Sequence, residues 1–220
     1  MSRKLIELML GLSVVLAGVI VSPPIAHATY TTYLYNDTAN GSVVATGSGT
    51  LNLNGLTSFG TDNCCYTGII PLNGTVDLGP LPNSFDVYGT IQGPSSFGSG
   101  PLASPNSASG PIVGPVYNPL GNNESDILLN VPLNYTSGAQ LGTTTDIFDN
   151  TTLAAMGVTN GTYTWTWGSG TSNADSFVLF AGVTPPSPSA TPEPSTWVLF
   201  GTGILAMMGW SYRKKKALQS

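Results

Sequence analysis

From residue 29 onward the chain alternates in twos. Tyr30, Thr32 and Leu34 alternate with Thr31, Tyr33 and Tyr35; Leu51 and Leu53 alternate with Asn52 and Asn54; most plainly, Tyr163, Trp165 and Trp167 alternate with Thr162, Thr164 and Thr166. Successive side chains of a strand point to opposite faces, so period two marks a half-buried strand. The pattern predicts strands over residues 29–36, 49–56, 74–78, 85–91, 126–133, 162–167 and 175–183, separated by Gly- and Asn-rich turns. Asn160-Gly161 is a tight-turn signal ahead of 162–167. Residues 168–173 form a loop that returns the chain as an antiparallel partner over 175–183. Helical periodicity is not sustained anywhere in 29–183, and only a short helix around 151–156 is allowed for. Seven or more short strands predict an all-β fold, an antiparallel β-sandwich. The Gly-, Pro- and Ser-rich residues 93–115 read as a long surface loop, because neither side alone has enough strands for a core.

The pattern changes at both ends. Residues 1–28 carry Arg3 and Lys4, an apolar run from Leu8 to Val21, a Pro23-Pro24 break and then Ala26-His27-Ala28. This is the order of a secretory signal peptide, with Ala26 and Ala28 at the small-residue cleavage positions and cleavage before Thr29. The apolar run is short for a retained anchor. After a Pro- and Ser-rich linker over 184–194, residues 195–212 form a second apolar segment, followed by a basic tail over 213–220 with Arg213, Lys214, Lys215 and Lys216. As a helix the segment would measure roughly 27 Å, enough for one transmembrane span. Basic residues stay on the cytoplasmic side, so the cluster places 29–194 outside the membrane.

Thr191-Pro192-Glu193-Pro194-Ser195-Thr196, one hydrophobic span and a basic end follow one another in that order. Together they resemble the PEP-CTERM sorting signal. The resemblance implies recognition by an exosortase, a membrane cysteine transpeptidase, with Pro192, Glu193 and Pro194 as recognition residues and cleavage near them. It also implies a bacterium with extracellular polysaccharide, and a periplasmic, surface or matrix destination. The same segment goes under the name of an ice-binding protein C-terminal domain, a label taken from a few members that says nothing of the passenger. A weaker resemblance joins residues 161–170 and 174–177 to the last hairpin of a recurrent passenger type in PEP-CTERM proteins, which carries no established activity.

Composition narrows the function of the passenger. Gly 27 and Pro 17 make up about a fifth of the 220 residues, which argues against a helix bundle. Hydrophobic residues at 41% argue against a disordered polymer. The 11 acidic and 6 basic side chains give −5, and all six basic ones lie at the two ends. The one histidine, His27, falls within the signal segment. Residues 29–190 thus hold no cation to neutralise phosphates, which excludes nucleic-acid binding.

Each candidate site has a structural alternative. Tyr163, Trp165 and Trp167 could stack on sugar rings, or form the apolar inner face of the sandwich. Cys64-Cys65 could close a vicinal disulfide or bridge to another chain; without His, Lys or Arg nearby it lacks the base or cation of thiolate catalysis. The carboxylates Asp37, Asp62, Asp77, Asp86, Glu124, Asp126, Asp146, Asp149 and Asp175 have no cations opposite them. They are either solvated or available to a hard ion such as Ca²⁺. The oxygen-rich stretches 122–126 and 146–150 match no EF-hand loop, and solvated acids are the expectation, with no metal site and no cofactor. Sequons such as Asn73-Gly74-Thr75 read as composition.

The leading expectation is a non-enzymatic, exported envelope or matrix protein, structural or adhesive, held in the inner membrane by its C-terminal helix before processing. Its partners are the secretion translocon, an exosortase-like transpeptidase, the membrane and extracellular polysaccharide. The alternatives are a carbohydrate- or ice-binding module with an exposed aromatic or Thr array and, further back, a carboxylate-only hydrolase, which needs two acids facing each other in a cleft.

Overall fold

The computed structural model describes residues 29–63, 66–118 and 127–186. The signal peptide with Ala26 and Ala28, the Cys64-Cys65 pair, the Pro192-Glu193-Pro194 motif, the 195–212 span and the Arg213–Lys216 cluster all lie outside the described residues. Among the described residues no helix is long and apolar enough to cross a membrane.

The fold is all-β. Its strands are β1 (Thr29–Asp37), β2 (Ser42–Thr50), β3 (Thr57–Asp62), β4 (Gly68–Ile70), β5 (Thr75–Asp77), β6 (Phe85–Gly89), β7 (Ser107–Ser109), β8 (Gly114–Tyr117), β9 (Ile127–Pro132), β10 (Gln140–Asp149), β11 (Gly161–Trp167) and β12 (Asp175–Ala181). A six-stranded sheet runs β11-β12-β1-β2-β10-β7, a four-stranded sheet β3-β6-β9-β8, and β4-β5 form a hairpin. Side chains from all three meet in one core: Tyr30, Leu34 and Phe177 from the first sheet, Leu129 and Val131 from the second, Val76 from the hairpin. Phe85, Val87 and Ile112 make a second, smaller cluster on the opposite face of β6.

The expected β11–β12 hairpin is present, pairing Trp165 with Phe177 in antiparallel register. The sheet is not purely antiparallel, however. β1 pairs with β12 in parallel, Thr29 to Ser176 through Leu34 to Ala181, so the first and last strands lie side by side in the sheet interior. Stacked rings flank that pair on both faces: Tyr30 on Phe177 at 5.4 Å and Tyr33 on Phe180 at 5.3 Å. Two half-buried strands alternate alike whichever direction they run, so periodicity carries no information about their relative orientation.

Other boundaries differ from expectation. Residues 49–56 are not a strand: β2 ends at Thr50, and Leu53–Gly55 form a 3₁₀ turn opened by the Asn52 side chain accepting the Asn54 N–H. Asn160 and Gly161 form no tight hairpin turn, since neither takes a positive φ. Residues 151–156 make a single helical turn, with the Met156 N–H donating to Thr152 O at 2.9 Å, before Val158 makes an isolated bridge to Gly98.

The stretch 93–115 is packed rather than looped over the surface. Phe97 and Val113 are buried, β7 adds an edge strand, and Ala103 exchanges both backbone hydrogen bonds with Ile69. Glycine makes this approach possible. A Cβ on Gly100 would sit 1.8 Å from the Met156 carbonyl oxygen, so the composition that resembles a loop instead lets two backbones touch.

Candidate functional site

Alternation on the six-stranded sheet separates two chemistries. On the outer face one register row crosses all six strands: Thr162, Phe180, Tyr33, Thr46, Thr145 and Ser109. The next row carries Thr164, Val178, Thr31 and Ser48. Thr162, Thr164, Ser48 and Ser109 are exposed, and the others in these two rows are half-buried. The Thr46 and Thr145 hydroxyls lie 3.1 Å apart across the strands. The rows present hydroxyls and the Tyr33–Phe180 ring stack without a charged side chain.

The inner face is apolar at one end and polar at the other. Trp165 is fully buried, edge-on to both Phe97 and Phe177, and Trp167 donates its Nε1–H to Asn52 O at 2.7 Å. Of the three aromatics proposed for ligand stacking, only Tyr163 is part-exposed, and its ring packs on Phe97 while its hydroxyl donates to Thr159 O. Trp165 and Trp167 therefore present no face to a sugar; that row is core. A recess of ≈ 230 Å³ opens beside Trp167, lined also by Thr166, Ser169 and Asp175. Both Asp175 oxygens already accept backbone N–H groups, from Asn52 and Ser176 at 2.6 Å each.

Toward β2 and β10 the inner face becomes polar. The row Thr32, Gly47, Thr144 lies beside the row Leu34, Ala45, Asp146. Gly47 leaves room above the sheet: a Cβ there would lie 2.7 Å from Thr32 Oγ1 and 3.1 Å from the Tyr30 hydroxyl. Thr144 Oγ1 donates to Pro111 O at 2.8 Å, and Asp146 Oδ1 accepts the Gly79 N–H at 3.0 Å. Two residues before Gly79, Asp77 Oδ2 accepts from Asn130 Nδ2 at 2.8 Å. Asp77 Oδ1, Asp146 Oδ2 and Thr32 Oγ1 are buried without a well-formed hydrogen bond, as is the Tyr30 hydroxyl, which faces the Thr144 side chain.

The electrostatics follow from burial. Desolvation pushes Asp77 up to about 8, against the Asn130 hydrogen bond and with the Asp146 charge adding to the rise. Desolvation likewise raises Asp146 to about 6, opposed by the Gly79 N–H. Tyr30 is raised to about 12, first by burial, with Thr144 opposing and Asp146 contributing. In contrast, Asp37 is half-buried at the end of β1 and lowered chiefly by the Asn40 side chain.

Asp77, Asp146 and Asp175 are buried and overturn the expectation of solvated acids at those three positions. Stretch 146–150 is no loop cluster: β10 alternation turns Asp146 inward and Asp149 outward. The sequence signal was present, since Thr144, Asp146 and Phe148 share one parity, but a carboxylate at an inward position hides a strand. Asp86 accepts from Thr61 and from the Asn134 N–H at the surface. Glu124 and Asp126 lie outside the described residues. No group of three or more His, Cys, Asp or Glu converges among the described residues.

No curated protein and no solved structure matches the chain. Residues 190–214 match the family model of the PEP-CTERM protein-sorting motif. That match begins just before Pro192-Glu193-Pro194 and takes in the apolar run and the first two basic residues of the tail. It marks an exported protein anchored in the membrane before an exosortase-type enzyme processes it. The C-terminal region of this chain is thus a PEP-CTERM sorting signal, carried behind an all-β domain.

Proposed function

We propose that the protein is a non-enzymatic envelope or matrix component, exported through the translocon and processed by an exosortase near Pro192-Glu193-Pro194. The match at 190–214 carries the reading. Two features of the all-β domain support it. The carboxylates of the inner polar patch, Asp77 and Asp146, are buried at 1% and 0% exposure, out of reach of a polymeric substrate. Residues 29–186 contain no Lys, Arg or His to assist an acid–base reaction.

Intact mass and fractionation of the protein from its host, with and without the processing enzyme, test this reading. The expected result is loss of residues 1–28 together with enzyme-dependent loss of the tail at the Pro-Glu-Pro triplet. A tail left uncut in the membrane in both strains would refute processing.

The outer face of the six-stranded sheet favours a second reading, a carbohydrate-binding domain. Its uncharged hydroxyl rows and the Tyr33–Phe180 stack offer hydrogen bonds and a ring face to neutral sugars. Retention of the full chain on the host's own polysaccharide, reduced by Tyr33→Ser without loss of folding, is the expected outcome. Equal retention of wild type and variant would remove that face from consideration.

A further inference from the structure

Four oxygens of the inner polar patch have no well-formed hydrogen bond, and they come from three strands: Tyr30 and Thr32 of β1, Asp77 of β5 and Asp146 of β10. Tyr30 and Thr32 are each 0% exposed, and both hydroxyls lie beside the place a Gly47 side chain would take. Thr144, adjacent to Asp146 on the same face, pairs with Gly47. Gly79, whose N–H reaches Asp146 Oδ1 at 3.0 Å, is two residues from Asp77, and Thr144, which the Tyr30 hydroxyl faces, is two residues from Asp146 on the same side of β10. An unpartnered buried polar atom costs about 1–3 kcal/mol, and a buried ionised carboxylate more. No cationic side chain exists in 29–186 to offset that cost. What the patch offers is oxygen only, two carboxylates and two hydroxyls, which suits a hard ion of charge two.

We propose that Asp77 Oδ1 and Asp146 Oδ2, with the Tyr30 and Thr32 hydroxyls, form a buried site for a divalent cation of the Ca²⁺ class. The ion neutralises the two carboxylates and ties the β4-β5 hairpin, through Asp77, to the six-stranded sheet, through Asp146. Ca²⁺ accepts irregular oxygen cages, whereas Mg²⁺ demands near-octahedral geometry and retains its waters, so the site discriminates between them. Because the ligands are buried, the ion enters as the domain folds or opens. This departs from the expectation, drawn from the sequence, of no metal site. It does not depend on the sorting reading.

The experiment is thermal unfolding of the detergent-solubilised full chain, refolded in Ca²⁺, in Mg²⁺ or in chelator, at acid and neutral pH. Ca²⁺ is expected to raise the midpoint, Mg²⁺ to leave it near the chelator value, and the Ca²⁺ shift to grow toward neutral pH as the carboxylates lose protons. Asp77→Asn and Asp146→Asn should each abolish the shift, and Asp149→Asn, on the outward parity of β10, should retain it. Tb³⁺ titration of the wild type gives a second readout, needed if an Asn variant does not fold. Emission excited through tyrosine should be displaced by Ca²⁺ and largely lost in Tyr30→Phe. A wild type with no Ca²⁺ shift and no displaceable Tb³⁺ emission would overturn the proposal, as would a shift that survives both Asn substitutions.

Discussion

Asn130 donates its Nδ2–H to Asp77 Oδ2 at 2.8 Å, joining β9 of the four-stranded sheet to β5 of the hairpin where both side chains are buried. Asn130 sits on the opposite parity of β9 from Leu129 and Val131, which serve the main core. Replacing it with Leu keeps the volume and removes the donor, leaving a second Asp77 oxygen unpaired. The expected cost is about 1–3 kcal/mol, measured by urea unfolding. A neutral result would mean that the Asp77 carboxyl finds another donor.

The pH dependence of stability has a definite sign. In chelator the folded chain keeps Asp146 protonated up to about 6 and Asp77 up to about 8, whereas both ionise near 3.8 once unfolded. Across that window the folded state binds more protons, so stability is full below 3.8 and falls as pH rises, steeply to about 6 and then more gently to about 8. The groups facing the pair are Asn130, Thr144, the Gly79 N–H and Tyr30; among these only Tyr30 titrates, and it does so near 12, beyond the window. Urea midpoints across this range should decline, and Asp77→Asn should remove the portion above about 6.

Trp165 fills the centre of the core at 0% exposure, with Phe97 and Phe177 edge-on around it. Trp165→Ala should cost about 3–5 kcal/mol in chemical denaturation, because a large cavity cannot collapse between two sheets. The intact protein should show tryptophan emission typical of an apolar site.

Backbone effects should separate cleanly by position. Gly100→Ala places a methyl 1.8 Å from the Met156 carbonyl oxygen and should cost about 1–3 kcal/mol or prevent folding. Gly41→Ala meets nothing within 4 Å but forces φ +64, and should cost only about 1 kcal/mol. Thr90 runs the other way: exposed, β-branched and held at φ 70, it should yield about 1 kcal/mol of stability when replaced by Gly. Thermal midpoints of the three variants check the order.

Much of the strand content was legible because a half-buried strand states its own period. Residues 29–36 and 162–167, with their aromatic and Thr alternation, fall inside β1 and β11. β2 and β10 were not legible. Gly47 and Gly49 interrupt the first, and the second turns Thr144 and Asp146 inward where the pattern requires apolar residues. The same inversion hid the buried carboxylate pair, since a solvated and a desolvated aspartate are the same letter.

The sequence by itself determined that the chain carries a sorting signal, because recognition there depends on a short linear order of Pro-Glu-Pro, apolar run and basic end. It also determined the β character of the domain and the absence of cations from 29–186, since both are properties of residues one by one or two by two. Only the tertiary structure decided that β1 lies parallel to β12, that Trp165 and Trp167 are core and that Asp77 and Asp146 are buried. These depend on contacts between residues as much as about 150 positions apart in the chain. Desolvation, ring stacking and strand direction exist only once such residues are brought together.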